Sequence, residues 1–169
     1  MAVTPQAAVF LGGLARRLVA DGLLPEEQAR AVQQKALKEG LPFVSLLVEG
    51  KLVSPPKIAE AASIEFGAPL LDLSVVETDD PVAKTSNEKV IRKSHALPIY
   101  TRGKKLFVAV SDPTNLTGLD EIKFATGIST EAVLVEEDKL NRAIETALQA
   151  AQSSDMNVDD SDLDNLDVA

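Results

Sequence analysis

The chain has 169 residues, 45% apolar and 25% charged, a length that suits one ordinary domain or two small ones. It has no cysteine and a single histidine, His95, which excludes thiol catalysis, disulfide frameworks and thiolate metal sites. A net charge of −9 and an aromatic content of 4% argue against nucleic acid or anionic lipid as partners, because phosphate binding needs clustered Lys and Arg and base stacking needs aromatic platforms. No apolar run approaches the roughly 18 residues of a membrane span, and the N-terminus lacks a secretory pattern. The chain therefore reads as cytoplasmic, with no direct membrane insertion.

In the first 67 residues the period is helical. Thr4 and Pro5 suit a helix start, followed by Phe10, Leu11, Leu14, Leu18 and Val19 at helical spacing up to Gly22. The pattern predicts a second helix from Pro25 to Gly40 and a short third from Phe43 to Gly50. A fourth, capped by Ser54 and Pro55, runs through Ile58, Ala61, Ala62 and Glu65 to Gly67. Sliding the sequence by 29 residues puts Leu18-Val19 on Leu47-Val48, Leu23-Leu24 on Leu52-Val53 and Leu14 on Phe43. Residues 5–67 thus read as a helical subdomain with an internal repeat.

Residues 68–151 read as a small α+β subdomain with a mixed sheet. Leu70-Leu71-Asp72-Leu73 is a short strand candidate. Thr85 and Glu88 form a possible capping box for a helix through Val90 and Ile91. Leu97 and Ile99, then Leu106, Val108 and Val110, alternate about Arg102-Gly103-Lys104 as a β-hairpin, with Pro98 suited to an edge. Leu119, Ile122 and Ala125 mark a helix stopped by Gly127, Thr130 to Val135 a further strand, and Leu140, Ala143, Ile144, Ala147, Leu148 and Ala151 the apolar stripe of a last helix. If its strands are parallel, the crossover over 105–135 should be right-handed.

Charge divides the chain further. Residues 84–105 hold seven basic side chains against Glu88 alone, either a solvated face or an electrostatic dock for an acidic partner or the chain's own tail. Residues 152–169 hold six Asp and no basic residue, which reads as a disordered acidic linker leading to something further.

The search for chemistry returns little. Around Gly50-Lys51, Ser45 stands where a phosphate-binding loop needs its first glycine and Leu52 where it needs the hydroxyl that holds magnesium. The acidic pairs Glu26-Glu27, Asp79-Asp80 and Glu136-Glu137 fall at helix starts or loops, where carboxylates meet the helix dipole. The Ser111-Asp112-Pro113-Thr114-Asn115 loop follows a strand and opens a helix; it suits either a ligand or a capping turn. No catalytic, metal or cofactor residues are assigned.

Four blocks, Lys51-Leu52-Val53-Ser54, Arg102-Gly103-Lys104-Lys105-Leu106-Phe107-Val108, Val110-Ser111-Asp112-Pro113 and Glu131 to Leu140, resemble in order and spacing the N-terminal regulatory region of the ATPases of type IV pilus and type II secretion systems. The resemblance covers about residues 10–148. It implies a helical and α+β region joined by a linker to a hexameric motor that uses ATP and magnesium, with no enzymatic activity in this part. It also implies protein partners: a PilZ-type adaptor, the inner-membrane platform protein and other copies of the ATPase. The alternatives are a region that senses cyclic di-GMP and a free-standing adaptor.

Some relatives bind cyclic di-GMP through two Arg-Leu-Gly motifs about 29 residues apart. Here Gly13-Leu14-Ala15 and Pro42-Phe43-Val44 occupy those places, so the scaffold reads as kept and the ligand site as lost, although Arg16 and Arg17 lie close by. The long apolar arc of the first helix suits two readings equally: residues 5–54 as the docking surface, with Phe10, Leu11, Leu14 and Leu18 as contacts and Arg17 beside them, or a helix packed entirely inside the helical unit with that stripe as core.

Overall fold

The computed structural model describes residues 10–76 and 88–158; the expected helix start at Thr4-Pro5, the Thr85 cap and Asp159 onward lie outside the described residues. Four helices come first: α1 (Gly13–Ala20), α2 (Glu26–Glu39), α3 (Phe43–Glu49) and α4 (Pro55–Phe66). Gly40 and Gly67 end α2 and α4 in the left-handed conformation, with φ of 65° and 62°. Their apolar faces make one core that includes Leu14, Leu18, Leu24, Ala29, Val44, Leu47, Val53, Ile58 and Ala62.

The 29-residue repeat is a repeat of hydrogen bonds as well as of letters. Leu23 N–H donates to Leu18 O at 2.9 Å and Leu52 N–H to Leu47 O at 3.0 Å; Gly22 N–H reaches Val19 O at 3.1 Å and Lys51 N–H reaches Val48 O at 3.0 Å. The turn needs a left-handed residue, which Gly22 supplies at φ 70° and Lys51, against its side chain, at φ 54°. Leu18 and Leu47 are both fully buried at equivalent places, as are, nearly, Ala29 and Ile58.

After α4 the expected strand at 70–73 shrinks to a single parallel bridge between Leu70 and Leu134. Asp72 stops it: its carboxylate accepts from the Ser74 N–H at 3.0 Å and hydroxyl at 2.7 Å, which winds Leu73–Val75 into a 3₁₀ turn in place of a ladder. The α+β unit continues with α5 (Glu88–Ser94), β1 (Leu97–Arg102), β2 (Lys105–Val110), α6 (Leu116–Thr126), β3 (Ser129–Leu134) and α7 (Glu137–Val158).

The sheet order is β1-β2-β3, antiparallel between β1 and β2 and parallel between β2 and β3. Gly103, at φ 63°, makes the left-handed step of the hairpin. Pro98 lies on the outer strand, and the register slips between Pro98 and Tyr100. One sheet face packs Leu106, Val108 and Val110 against Ile122 of α6. The other packs Ile99, Ala109 and Val133 against Leu140, Ile144 and Leu148 of α7. The molecule is thus mixed α+β, as expected. One boundary moves: the acidic stretch expected to lack structure from 152 begins inside α7, because no glycine or proline stops the helix before Val158.

Close packing of α5 on α6 depends on Gly118. A Cβ there would lie 2.6 Å from the Ser94 carbonyl oxygen and 2.6 Å from Asn115 Nδ2. Gly118→Ala should therefore cost about 1–3 kcal/mol, the usual range for overpacking a tight contact. Gly13→Ala, whose Cβ would meet nothing closer than 3.5 Å, should be tolerated. Thermal melts of both variants beside the parent chain check this contrast.

Candidate functional site

The expected docking stripe does not exist as one surface. Leu14 and Leu18 are buried in the helical core, Leu11 packs against it, and Arg17 donates to Asp21 Oδ2 at 2.9 Å along its own helix. The reason is geometric: α1 begins at Gly13, so Phe10 is not on the helix that carries Leu14 and Leu18 and cannot share its face. Phe10 alone is outside, 93% exposed. Its backbone is clamped by a residue the sequence did not single out. Gln33 on α2 donates through Nε2 to Phe10 O at 2.6 Å and accepts from Gly12 N–H at 2.9 Å. Leu37, one turn further along α2, is 74% exposed.

The two places of the expected cyclic di-GMP motif are occupied by Gly13 and Ala15 at the start of α1, and by Pro42 and Val44 at the start of α3. Ala15 and Val44 are buried. Of the nearby arginines, Arg16 approaches Glu65 at 3.9 Å and Arg17 is held by Asp21. A hollow of about 190 Å³ lined by Asp21, Leu23, Lys57, Glu60, Ala61 and Ile64 lies beside the first turn; Asp21 is paired with Arg17 and Lys57 with Glu60 at 3.6 Å.

Three cations of the basic segment are paired with carboxylates nearby. Arg92 pairs with Glu88 at 3.2 Å, Lys93 with Glu121 at 2.9 Å and Lys105 with Glu131 at 2.9 Å. The Ser111–Asn115 loop acts as a capping turn. Asp112 Oδ1 accepts from the Thr114 N–H and hydroxyl at 2.9 and 2.6 Å, and Asn115 Oδ1 accepts from Gly118 N–H at 3.1 Å.

The molecule's most concentrated polar chemistry is elsewhere. Glu137, the first residue of α7, is 1% exposed. Its Oε1 accepts from the Ser45 hydroxyl of α3 at 2.6 Å, from His95 Nε2 at 2.8 Å and from Asn141 Nδ2 at 3.3 Å. Burial pushes its carboxyl up, but His95, then Ser111 and Ser45, outweigh that and hold it below the usual carboxylate range. At the surface nearby, the Ser74 hydroxyl and then Lys139 hold the Asp72 carboxyl down at about 2, with Lys139 Nζ 3.0 Å from Asp72 Oδ1.

A serine, a histidine and a glutamate within reach of one another invite a catalytic reading, which the geometry refuses. An ionised carboxylate only accepts, so His95 Nε2 must carry a proton toward Glu137. That same nitrogen is the one 3.3 Å from Ser45 Oγ, and it cannot also take the serine's proton. The cluster binds elements together. None of its three members was assigned by sequence, because Ser45 and His95 lie 92 and 42 residues from Glu137 and no local pattern links them.

Residues 66–154, more than half of the chain, match the MshEN domain family, and the chain belongs to that family. Over 161 residues it is 38% identical to the type IV pilus assembly ATPase PilB of Pseudomonas aeruginosa, covering 95% of this chain and 28% of that protein. The same-named protein of Acinetobacter baylyi is 36% identical over 152 residues, covering 90% of this chain and 26% of its own. The chain therefore spans about a quarter of the length of these curated relatives. What it shares with them is the N-terminal MshEN region, not the ATPase catalytic region. Two solved structures share the fold. The N-terminal domain of XpsE aligns with a TM-score of 0.64 at 20% identity, over 79% of this chain and 92% of that one. A structure described as MshE with cdg aligns at 0.57 and 23% identity, over 79% of this chain and 97% of that one.

Because the folded Glu137 carboxyl sits below its ordinary value of 4.5, its contribution to stability is present above that pH and is lost as pH falls through the lower, folded value. Glu137→Gln should cost roughly 1.5–3 kcal/mol near neutrality, the range for hydrogen bonds to a charged group. The gap between parent and variant should narrow steadily below pH 4.5. Urea unfolding across pH 3–7, a span about the ordinary carboxylate range, checks both the size and the sign.

Proposed function

We propose that this chain is the regulatory, protein-binding N-terminal region of an ATPase that powers type IV pilus assembly, and that it receives a PilZ-type adaptor, the inner-membrane platform protein or neighbouring ATPase copies at the cytoplasmic face of the membrane. The observation that carries this reading is the match of nearly the whole chain to the N-terminal quarter of PilB. Such a region contributes control and docking to a motor whose ATP and magnesium chemistry belongs to the rest of the longer protein. The exposed Phe10, held in place by Gln33 and followed by Leu37 on α2, is the docking anchor we assign. An exposed aromatic on a clamped backbone offers large apolar contact with only its own rotamer left to order on binding.

Phe10→Asp should leave the melting temperature of the chain unchanged and weaken capture of a purified PilZ-type adaptor or platform cytoplasmic domain at least tenfold. Leu18→Ala should instead cost about 2–5 kcal/mol of stability, as expected for a fully buried leucine. Calorimetric titrations paired with circular-dichroism melts read both. Absence of micromolar binding to either protein would overturn the assignment.

Sensing of cyclic di-GMP is the second reading, favoured by the retained 29-residue repeat. Against it stand Gly13 and Pro42 at the two places where the motif needs arginine, with Arg16 and Arg17 turned to Glu65 and Asp21. Titration with cyclic di-GMP should show no saturable binding tighter than about 1 mM. A micromolar isotherm, lost in Arg16→Ala or Arg17→Ala, would restore the sensing role.

A further inference from the structure

Two cations of the basic stretch keep no carboxylate, and both stand at the hairpin end of the sheet. In the β1–β2 register Arg102 lies directly opposite Lys105, on the sheet face that also carries the half-buried Tyr100 and Phe107 rings, stacked with centroids 4.8 Å apart. Lys105 is held by Glu131 at 2.9 Å. Arg102 therefore faces a like charge across the ladder with no acid of its own, an arrangement that costs stability until a carboxylate reaches it. Lys104, in the turn beside it, is exposed, and among the described residues neither Arg102 nor Lys104 makes an ion pair.

The direction of the chain brings acid to this end. β3 runs parallel to β2, so it too starts at the hairpin end, and it finishes at Leu134, two residues before α7. α7 then returns over the face of Tyr100 and Phe107, packing Leu140, Ile144 and Leu148 on Ile99, Ala109 and Val133. The 6 residues of β3 rise about 20 Å and the 22 residues of α7 about 33 Å, so the helix overruns the sheet at the hairpin end. Burial marks the same place: Leu148 is 2% exposed, whereas Gln149 to Ser153 are all exposed. After Val158 the sequence reads Asp159-Asp160-Ser161-Asp162-Leu163-Asp164-Asn165-Leu166-Asp167, acids and two leucines without a cation. Residues 159–169 can span up to about 36 Å, more than enough to come back along the overrun to the hairpin.

We propose that the hairpin end of the sheet, Arg102 and Lys104 beside the Tyr100–Phe107 stack, docks the chain's own acidic segment 159–169. The aspartates answer the two cations, and Leu163 and Leu166 gain apolar cover on the rings. Exposed pairs of this kind are individually weak and screened by salt, so the contact forms and releases with ionic strength, and an acidic segment of another protein would compete for the same place. Lys123, which also makes no ion pair among the described residues, belongs to α6 on the opposite face, away from the path of α7. The inference does not rest on which partner the chain binds.

The chain has no cysteine, so a single spin label can be placed through Val168→Cys and its broadening of backbone amide signals read by NMR on the whole chain. At about 0.01 M salt the label should broaden Gly103, Lys104 and Tyr100, and at about 1 M, where the screening length falls from about 30 Å to about 3 Å, the broadening should fade. Arg102→Glu with Lys104→Glu should reduce it at least about threefold, the size of losing one or two exposed ion pairs, with an unchanged melting temperature. Adding Asp162→Lys and Asp164→Lys to that pair should bring it back. Lys123→Glu should leave it as in the parent. No broadening at the hairpin at low salt, or broadening that survives the double charge reversal or falls equally with Lys123→Glu, would overturn the proposal. So would broadening of an unlabelled, isotope-enriched chain by an added labelled one, which would put the segment on a second copy.

Discussion

A carboxylate with 1% exposure must be neutralised or supplied with donors, because taking a bare charge out of water costs far more than a domain's stability can bear. Much of this molecule's arrangement can be traced to how Glu137 meets that demand. It stands at the first turn of α7, where helix N–H dipoles favour negative charge, and it draws donors from α3 and from the turn before β1. Ser45 ties the helical unit to that carboxylate, and His95 reaches it from the turn that follows the Ser94 carbonyl held by Asn115 at the end of α5. Hydrophobic burial supplies the bulk of the stabilisation in both units, and the Glu137 cluster joins Leu134 of β3, itself buried in the helical core, in holding them together.

The helical unit shows a different economy. Two copies of one helix-turn-helix pattern reproduce the same turn bonds, one with Gly22 and the other with Lys51 in a conformation suited to glycine. The departures between the copies are informative. Val32 and Gln33 of the first correspond to the buried Ala61 and Ala62 of the second, and it is Gln33 that holds the chain at Phe10 and Gly12. At this one position the repeat departs from apolar packing and makes polar bonds to the backbone that leads into α1.

Most of the secondary structure was legible in the sequence, since its markers are local. Gly40, Gly67 and Gly127 stop helices where their left-handed φ is needed, Gly103 turns the hairpin, and Pro55 opens α4. The repeat could be read for the same reason. The short strand at Leu70 could not, because Asp72 takes its own neighbour's N–H and ends the ladder. Leu14 and Leu18 are core and not surface because the apolar arc that suggested a docking face runs through Phe10 and Leu11, which precede the helix. The Glu137 cluster was invisible for want of any sequence signal: Ser45 and Glu137 are 92 residues apart and each is unremarkable alone.

The outer strand of the sheet carries a further consequence. Pro98 has no N–H to offer, and the slip between Pro98 and Tyr100 breaks the even spacing of the remaining groups along β1. An incoming extended segment would find an irregular row of donors and acceptors there, which is how natural sheets discourage growth from an edge. The open side of β1 is thereby a poor template for a second sheet, so the same proline that ends even pairing within the hairpin also guards its outer edge.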